Sequence, residues 1–296
     1  MATAECSNLI DEHGFELVKH GNSAFPAACY DDDLLEQEVE WHWHQEFELI
    51  LLAEGDSVVT IGGEKYLIKE GDGVFINSEV LHAGFLSDTP TCRYHSYVFH
   101  PALIGGGFES VFWNRYLYPL IENKALQGFY LNKEIPEHKE LLDTLERAWQ
   151  CFSKDTPGFE FTVREALSKL IFTICTSSQT QQKTPSPKML RDGERMKLMM
   201  QFISEHFSEE ITIANLAEYA LISESEVLRC FHNTIGTTPI QYVKQFRIHK
   251  AAALLSSTDL KIADIGSFCG FQEMSYFAKS FKNVYGCTPT QYRLQG

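Results

Sequence analysis

Residues 225–242, SEVLRCFHNTIGTTPIQY, recur 50 positions later as residues 275–292, SYFAKSFKNVYGCTPTQY. Eight of the 18 aligned positions are identical. Each copy carries apolar residues at helical spacing, followed by a glycine and then by a threonine–proline pair. Gly270, shortly before the second copy, is expected to end a helix. The chain therefore contains one small helical unit used twice, and two copies are too few for a solenoid.

A short amphipathic helix is predicted before each copy, over ITIANLAEYA (211–220) and IADIGSFCG (262–270). Small residues, Ala217 and Gly266, occupy matching places in these two helices, as a close crossing of two helices requires. Two short helices joined by a tight turn predict a helix-turn-helix, which presents its second helix to the major groove of DNA. A helical bundle without a nucleic-acid role is the alternative, because such patterns give many false positives.

These residues resemble the DNA-binding domain of the AraC family of transcription regulators. The resemblance spans residues 211–293 and is carried by GTTPIQYVKQFRIHKAAALL, IADIGSFCGF, SYFAKSFKN and GCTPTQYR. It implies two helix-turn-helix units joined by a long helix, here about Ile240–Ser256, with the reading helices in successive major grooves. The chain departs from the family pattern in its acidic first reading helix, which carries Glu224 and Glu226. Glu226 has a capping role available, three residues after the predicted N-cap Ser223.

The resemblance also implies base-edge contacts in each reading helix. In the first helix they fall at Ser225, Leu228 and Arg229, and in the second at Glu273, Met274, Ser275 and Lys279. Side-chain chemistry agrees in part, because Arg229 can bind guanine in a bidentate manner and Glu273 can accept a hydrogen bond from cytosine. Lys282 is expected to contact phosphate, whereas Arg247 and Lys250 are either phosphate contacts or solvated charge, and solvated charge is favoured.

A second informative stretch is WHWHQEFELILLAEG, residues 41–55. His42, His44, Glu46 and Glu48 alternate with apolar residues, so a strand places these four polar side chains on one face. The stretch resembles the first motif of the cupin barrel, HxHxxxE followed by a glycine. His82 matches the histidine of the second cupin motif.

Three roles of this polar cluster are compatible with the sequence. His42, His44, Glu48 and His82 are predicted to line the pocket of a small-molecule effector, with no metal required. A divalent metal is the second alternative, because three imidazoles and a carboxylate are a standard ligand set for iron, manganese, nickel or zinc. A purely structural cluster is the third. Nearby aromatic residues, which would wall such a pocket or belong to the core, are Trp41, Trp43, Phe75, Phe85 and Tyr94.

Residues 40–100 alternate with period two and are interrupted by glycines, which predicts five or more short strands in a sandwich or small barrel. Residues 138–178 change to helical spacing and carry two apolar stripes. The first stripe comprises Leu141, Leu142, Leu145, Trp149 and Phe152, and the second comprises Val163, Leu167, Leu170, Ile171 and Ile174. Two amphipathic helices after a sheet either cover the sheet or form a dimer surface, and the pattern does not separate these alternatives.

The composition bounds the class of protein. With 296 residues the chain is long enough for two domains, and its 44% hydrophobic content is typical of globular proteins. No apolar run approaches the roughly 20 residues of a membrane span, and the first residues lack the features of a secretion signal. The eight cysteines are scattered without a CxxC pair, which disfavours a zinc finger and fits a reducing cytoplasm.

The polar segment SSQTQQKTPSPK, residues 177–188, is interpreted as a linker. It separates a predicted sensor and dimerisation domain, 1–176, from a predicted DNA-binding domain, 189–296. Residues 1–187 carry 13 basic and 29 acidic side chains, whereas residues 188–296 carry 12 and 11. The acidic part should repel polyanions, so only the C-terminal part is suited to approach nucleic acid.

Together these features predict a two-domain α+β protein with an N-terminal cupin-type barrel (a double-stranded β-helix) and a C-terminal all-α domain. Its predicted function is that of a cytoplasmic, homodimeric transcription regulator, not an enzyme. Predicted partners are double-stranded operator DNA and a small-molecule effector such as a sugar, and the resemblance adds RNA polymerase as a further partner. The alternative is a metal-dependent cupin enzyme fused to a DNA-binding domain.

Overall fold

A computed structural model describes residues 20–36, 38–107, 109–177 and 186–295. The chain divides into two compact units between Gly193 and Glu194. This point lies a few residues beyond the predicted domain start at 189. Most of the predicted linker, residues 178–185, lies outside the described ranges. None of the helices in the described part of the chain combines the length and apolar content needed to cross a membrane.

The N-terminal unit is built on a β structure of two sheets. Its described strands are β1 (Ala27–Asp33), β2 (Val39–His42), β3 (Phe47–Ile61), β4 (Glu64–Lys69), β5 (Gly73–Ile76), β6 (His82–Leu86), β7 (Cys92–Phe99) and β8 (Gly128–Leu131). One sheet has the order β1-β7-β3-β5-β8, and the other has the order β2-β6-β3-β4. The predicted strands are confirmed, but β1 and β8 lie outside the segment in which the sequence predicts strands.

Strand β3 belongs to both sheets because it bends at its middle. The pairing of β3 with β7 shifts register between Leu52 and Glu54, and Gly55 follows with a φ of 77°. A Cβ atom at Gly55 would lie 1.8 Å from the carbonyl oxygen of Thr91. Only glycine fits this corner, which explains the glycine that follows the HxHxxxE pattern.

The two faces of β3 enter two different cores. Ile50 and Leu52 point into an aliphatic core between the sheets, which also contains residues of β4 and β5. Phe47, Leu49 and Leu51 point the other way, toward helices that cover the first sheet. The described helical segments of this unit are α1 (Ala102–Gly105), a π-helical turn (Trp113–Leu117), α2 (Tyr118–Glu122), α3 (Pro136–Ser153) and α4 (Phe159–Ser177).

Both apolar stripes predicted in residues 138–178 are buried in this second core. Leu145 of α3 and Leu167 of α4 have no exposed surface, and the hydroxyl of Tyr97 donates to the carbonyl of Leu145 at 2.7 Å. Of the two alternatives, the stripes therefore cover the sheet, and these buried residues are not available to pair two subunits. The reason is that strands β1, β3, β5, β7 and β8 present a large apolar face, and α3 and α4 bury their stripes in the core formed on it together with α1, the π-helical turn and α2. The expected homodimer requires another face.

The C-terminal unit is entirely helical in its described part. Its helices are α5 (Pro187–His206), α6 (Ile213–Tyr219), α7 (Glu224–Ile235), α8 (Pro239–Ser257), α9 (Ile262–Phe268), α10 (Met274–Tyr285) and α11 (Pro289–Gln295). Helices α6 and α7 form the first helix-turn-helix, and α9 and α10 form the second. Helix α8 joins them and closely matches the predicted connecting helix Ile240–Ser256.

The repeated GxTP sequence encodes a helix end and a helix start. Gly236 and Gly286 end α7 and α10 in the left-handed conformation, with φ angles of 70° and 71°. Thr238 and Thr288 then cap the following helices, and each hydroxyl accepts a hydrogen bond at 3.3 Å from the backbone of the glutamine three residues later. The sequence identity between the two copies therefore reflects the same local turn chemistry.

The turn inside each helix-turn-helix also contains a left-handed residue. In the second unit this is Gly270, with a φ of 76°, and in the first it is Leu221, with a φ of 52°. A leucine in this conformation costs about 1–2 kcal/mol, and Leu221 is 90% exposed, so packing does not offset the strain. The capping box after this turn is confirmed, because Ser223 accepts from the amide of Glu226 and Glu226 accepts from the amide of Ser223.

The crossing of α9 and α10 requires a small residue at Gly266, as predicted. A Cβ atom at this position would lie 2.9 Å from the Sδ atom of Met274 and 2.9 Å from the Cδ1 atom of Phe277. The thioether of Met274 therefore occupies the space that the missing side chain leaves. Phe277 is buried and has little freedom to move.

Replacing Gly266 with alanine is expected to lower the free energy of unfolding of the C-terminal unit by about 1–2 kcal/mol, because overpacking costs about 1–3 kcal/mol and the better helix propensity of alanine offsets about 0.5–1 kcal/mol of it. Chemical denaturation of the full chain, followed by circular dichroism, measures the change. Gly193→Ala is the matched control, because a Cβ atom there meets nothing within 4 Å and should stabilise α5 by about 0.5–1 kcal/mol. Equal stability of the two variants would show that α9 and α10 do not pack as closely as described.

Candidate effector site and DNA-binding surface

The four polar residues predicted to converge in the N-terminal unit do converge. His42 ends β2 and lies directly opposite His82 of β6, while Glu48 lies on β3. The Oε2 atom of Glu48 is 2.8 Å from the Nε2 atom of His82 and 3.2 Å from that of His44. One ligand atom from each of the four residues lies within 4.8 Å of the others, and all four residues are buried.

The outer ring nitrogens of the three histidines are all held by backbone carbonyl groups. The Nδ1 atoms of His42, His44 and His82 lie 2.8, 3.1 and 2.8 Å from the carbonyl oxygens of residues 40, 46 and 80. A carbonyl oxygen can only accept, so each Nδ1 atom carries a hydrogen. In a neutral imidazole the Nε2 atom then bears a lone pair. Three Nε2 atoms and a carboxylate therefore direct electron pairs into one buried space.

Glu48 is negatively charged in this environment. Burial alone would raise its pKa, but when the Nε2 atoms carry protons in place of a cation, the charge of His82 and hydrogen bonds from His44 and His82 lower the pKa of Glu48 well below its usual value. A buried cluster of electron pairs around a carboxylate is costly unless a cation or protons lie among them. Carbonyl groups that fix the outer nitrogens of ligating histidines are also the usual second shell of a protein metal site. The residues present therefore fit a divalent metal.

One further histidine lies beside the cluster and was not predicted. The ring of His20 is 5.5 Å from that of His44, and its Nδ1 atom is 2.7 Å from the hydroxyl of Tyr30. No strand pattern surrounds His20 in the sequence, so no sequence signal connects it to the cluster. Glu46, predicted on the same face, contributes its carbonyl oxygen to His44, and its carboxylate stays 4.0 Å from the His44 ring.

The five aromatic residues considered as pocket walls occupy different places. Phe75 and Tyr94 are buried in the two cores, and Phe75 lies on the side of the first sheet that faces α3 and α4. Trp41, Trp43 and Phe85 are half-buried, and the rings of Trp41 and Phe85 are 5.9 Å apart. Only these last three retain surface with which an effector could stack.

The predicted DNA-contacting residues lie mainly on the exposed faces of the two second helices. In α7 the exposed residues are Ser225, Leu228 and Arg229, and at the start of α10 and along it they are Glu273, Ser275, Lys279 and Lys282. The opposite faces carry the buried pairs Val227–Phe231 and Phe277–Phe281. Each second helix is thus fixed by its apolar face and presents polar side chains to solvent, as a reading helix requires.

Two family models match this chain, the AraC-like ligand binding domain over residues 25–171 and a helix-turn-helix domain over residues 216–295. The chain belongs to the AraC family of transcription regulators. The uncharacterized HTH-type transcriptional regulator YdeC of Bacillus subtilis is 27% identical over 96% of this chain and 97% of its own length. The arabinose operon regulatory protein of Salmonella typhimurium is 27% identical over 83% of this chain and 82% of its own length.

Among solved structures, an AraC-type transcriptional regulator from Chromobacterium violaceum is 26% identical and covers 34% of this chain and 91% of its own, with a TM-score of 0.34. The relatives are transcription regulators of a non-enzymatic family. Membership of the AraC family therefore removes the alternative of a metal-dependent enzyme with a DNA-binding tail. The protein is a DNA-binding transcription regulator with a ligand-binding domain.

Two residues of α10, Met274 and Tyr276, differ in exposure from what the predicted base contacts require. Met274 is half-buried and packs against Gly266, so its predicted base contact has no support in the structure. Tyr276, which was not predicted, is exposed beside Ser275 on α10 and offers an aromatic ring to the same surface. Gly266 accounts for the partial burial of Met274, because the absent side chain leaves the space that the thioether of Met274 fills.

Arg247 is not the solvated charge that the sequence suggests. Its Nε atom donates to the carbonyl of Phe207 at 2.7 Å, and a second nitrogen donates to the carbonyl of Glu209 at 2.5 Å. Burial lowers the pKa of Arg247. The side chain therefore ties the chain after α5 to α8, and it is not available to contact phosphate.

Proposed function

We propose that this AraC-family regulator binds operator DNA in a sequence-specific manner through α7 and α10, under the control of a small molecule bound at the His42–His44–Glu48–His82 cluster. The observation that carries this proposal is the placement of exposed polar side chains on the second helix of both helix-turn-helix units. Side chains such as arginine, serine and glutamate are those that distinguish bases in the major groove. RNA polymerase stays an implied further partner, and the cytoplasm is the proposed location.

Within this function, the cluster is proposed to hold a divalent cation through the Nε2 atoms of the three histidines and the carboxylate of Glu48. Three Nδ1–carbonyl contacts support this proposal over the metal-free pocket that the sequence favours. A bound cation would supply a Lewis-acidic attachment point for oxygen atoms of an effector. Sugar hydroxyl groups are suitable oxygen donors, and one relative is named for an arabinose operon.

Loss of a base-reading side chain should weaken specific binding and relax specificity. Arg229→Ala and Lys279→Ala are each expected to cost about 1–3 kcal/mol of operator binding, since each would lose a base contact. Selection from a randomised oligonucleotide pool by the full chain, followed by fluorescence anisotropy, provides the operator and the affinities. Lys282→Ala is the comparison, because loss of a phosphate contact should weaken binding to all sequences equally. A full chain that selects no sequence would refute the proposed function.

A homodimer is proposed through the outer face of α4, in place of the buried stripes. Phe161 and Phe172 are 83% and 58% exposed, and their spacing of eleven residues places them on one face, three turns apart. Glu165 and Lys169 lie between them and pair at 3.0 Å. In an antiparallel second copy, Phe161 of one chain meets Phe172 of the other, and Glu165 meets Lys169. The face is therefore self-complementary in apolar surface and in charge.

Combining Phe161→Asp with Phe172→Asp is expected to convert the dimer into a folded monomer. Both rings are exposed within one chain, so the substitutions should leave the thermal unfolding of each chain nearly unchanged. Light scattering measures the mass. Leu67→Asp serves as the control, because it adds a charge at an exposed apolar residue of β4 that is distant in sequence from α4. A dimer that persists in the double variant would place the interface elsewhere.

A further inference from the structure

Glu226 lies between two arginines of the first helix-turn-helix region. Its Oε1 atom is 3.4 Å from the Nη1 atom of Arg195 on α5 and 3.9 Å from the Nη2 atom of Arg229 on α7. Its Oε2 atom accepts hydrogen bonds from the amide and the hydroxyl of Ser223, at 3.2 and 3.1 Å. One carboxylate therefore caps α7 and pairs with two guanidinium groups.

These contacts stabilise the ionised form of the Glu226 carboxylate. The hydrogen bond from the backbone of Ser223, assisted by the hydroxyl and the two arginines, lowers the pKa of Glu226. The carboxylate is thus ionised at neutral pH and is held beside the residue expected to read a base. Arg229 is 62% exposed, and its guanidinium group can bind a guanine in bidentate geometry only if it turns from Glu226 toward the DNA.

We propose that Glu226 determines how strongly the first helix-turn-helix discriminates between DNA sequences, by competing with DNA for Arg229, while Arg195 holds the carboxylate in place. This inference rests on the proposed operator binding. On non-matching DNA the base edge opposite Arg229 does not offer a pair of acceptors, so no base compensates for the loss of the carboxylate. A correctly placed guanine offers two acceptors to the same guanidinium fork and compensates for the lost ion pair. A carboxylate that competes in this way lowers the affinity for non-matching DNA more than the affinity for the operator.

The second helix-turn-helix provides an internal comparison. The 50-residue repeat aligns Arg229 with Lys279, and it aligns Glu226 with Tyr276. The second reading helix thus has a basic residue at the equivalent position but no acid three residues before it. The competing carboxylate is confined to the first unit, so the two units should differ in how much their affinity for non-matching DNA depends on an internal ion pair.

The test is Glu226→Gln in the full chain, because glutamine preserves the capping box and removes the charge. The probes are the duplex that the unaltered protein selects from a randomised pool and a scrambled duplex of equal length and composition. Affinity for the scrambled duplex should rise about five- to tenfold, and affinity for the selected duplex about twofold or less, at low salt. An unchanged thermal unfolding curve verifies that the cap is retained.

Glu224→Gln is the matched control. Glu224 is exposed in the same helical turn and carries the same charge, but it forms no ion pair with any described residue. Equal effects of the two glutamine variants would mean that only the overall charge of α7 matters, and this would overturn the proposal. The effect of Glu226→Gln on discrimination should also disappear in an Arg229→Ala background, and its persistence there would equally overturn the proposal.

The opposite substitution, Tyr276→Glu, should transfer the effect to the second unit. It places a carboxylate three residues before Lys279 and should lower affinity for the scrambled duplex more than for the selected one. If both duplexes are weakened equally, the competing-ion-pair explanation fails. A protein that selects no sequence from the pool refutes the proposed function itself. If the unaltered protein selects a sequence but the ratio of its affinities for the selected and the scrambled duplex is the same in the Glu226→Gln variant, only this inference is refuted.

Discussion

Leu145→Asp should unfold the N-terminal unit and should not yield a folded monomer. Leu145 has no exposed surface and packs between α4 and the first sheet, and its carbonyl oxygen accepts from Tyr97. A carboxylate at this position would be buried without a partner, at a cost of several kcal/mol. That cost approaches the whole free energy of unfolding of a typical domain, about 5–15 kcal/mol. Near-ultraviolet circular dichroism and limited proteolysis measure the loss.

Gln150→Lys on the same helix is the control for this substitution, because Gln150 donates to Glu146 at 3.1 Å and a lysine keeps a donor four residues after that carboxylate. Gln150 is exposed, and charge at such a position usually changes stability by less than about 0.5 kcal/mol. The control variant should keep the near-ultraviolet spectrum of the unaltered protein. A folded, monomeric Leu145→Asp variant would instead show that this side of α3 faces a second subunit.

The case of α3 and α4 shows what an apolar stripe encodes. The helical spacing predicts two helices within residues 138–178, and they lie at Pro136–Ser153 and Phe159–Ser177, because the period of a stripe is a local property of the chain. The surface against which the stripe packs depends on chain topology. A stripe that packs against a sheet of the same chain and one that packs against a second subunit have the same sequence pattern, so the pattern alone does not distinguish them. The exposed Phe161 and Phe172 lie outside the stripes, so the helical pattern contains no feature that would have selected them as interface residues.

Local chemistry was the most predictable part of the fold. The capping box of Ser223 and Glu226 and the turn at Gly270 depend on interactions within about four residues, which the sequence shows directly. Strands β1 and β8 were not predicted, for a different reason. The sequence of β1 ends in three aspartates and β8 has only four residues, so neither has a clear alternating pattern. Their place in the sheet depends on pairing with β7 and β5.

For the polar cluster of the N-terminal unit, the sequence predicts which residues come together but not how their side chains are oriented. Alternation along one strand places His42, His44 and Glu48 on one face, and the cupin resemblance adds His82. The hydrogen bonds from the Nδ1 atoms to carbonyl oxygens could not be predicted, because they depend on ring orientation and on backbone geometry. Met274 illustrates the same limit in the other unit, since its burial depends on the space above Gly266 in a neighbouring helix.

The full chain, purified without a histidine tag, is expected to contain about one divalent metal ion per chain. Glu48→Gln and His82→Ala should each lower metal affinity by at least about 100-fold, because even outer-shell partners of a metal site contribute 10–100-fold. Bound metal also stabilises the folded unit by mass action, by about 4 kcal/mol at a thousand times the dissociation constant. Elemental analysis gives the stoichiometry, and thermal unfolding with added manganese, iron, nickel or zinc gives the stabilisation.

His100→Ala is the matched control for the metal experiment, because it removes an imidazole of the same unit that lies outside the cluster. This variant should keep the metal and its stabilising effect. His44→Ala tests the link to regulation, since loss of the site should abolish effector control of DNA affinity, about 1–3 kcal/mol, while basal DNA binding stays near normal. If neither elemental analysis nor thermal unfolding reveals a metal, the three Nε2 atoms must be satisfied by protons or by hydrogen-bond donors of the effector. The metal-free pocket that the sequence favours would then be the better description.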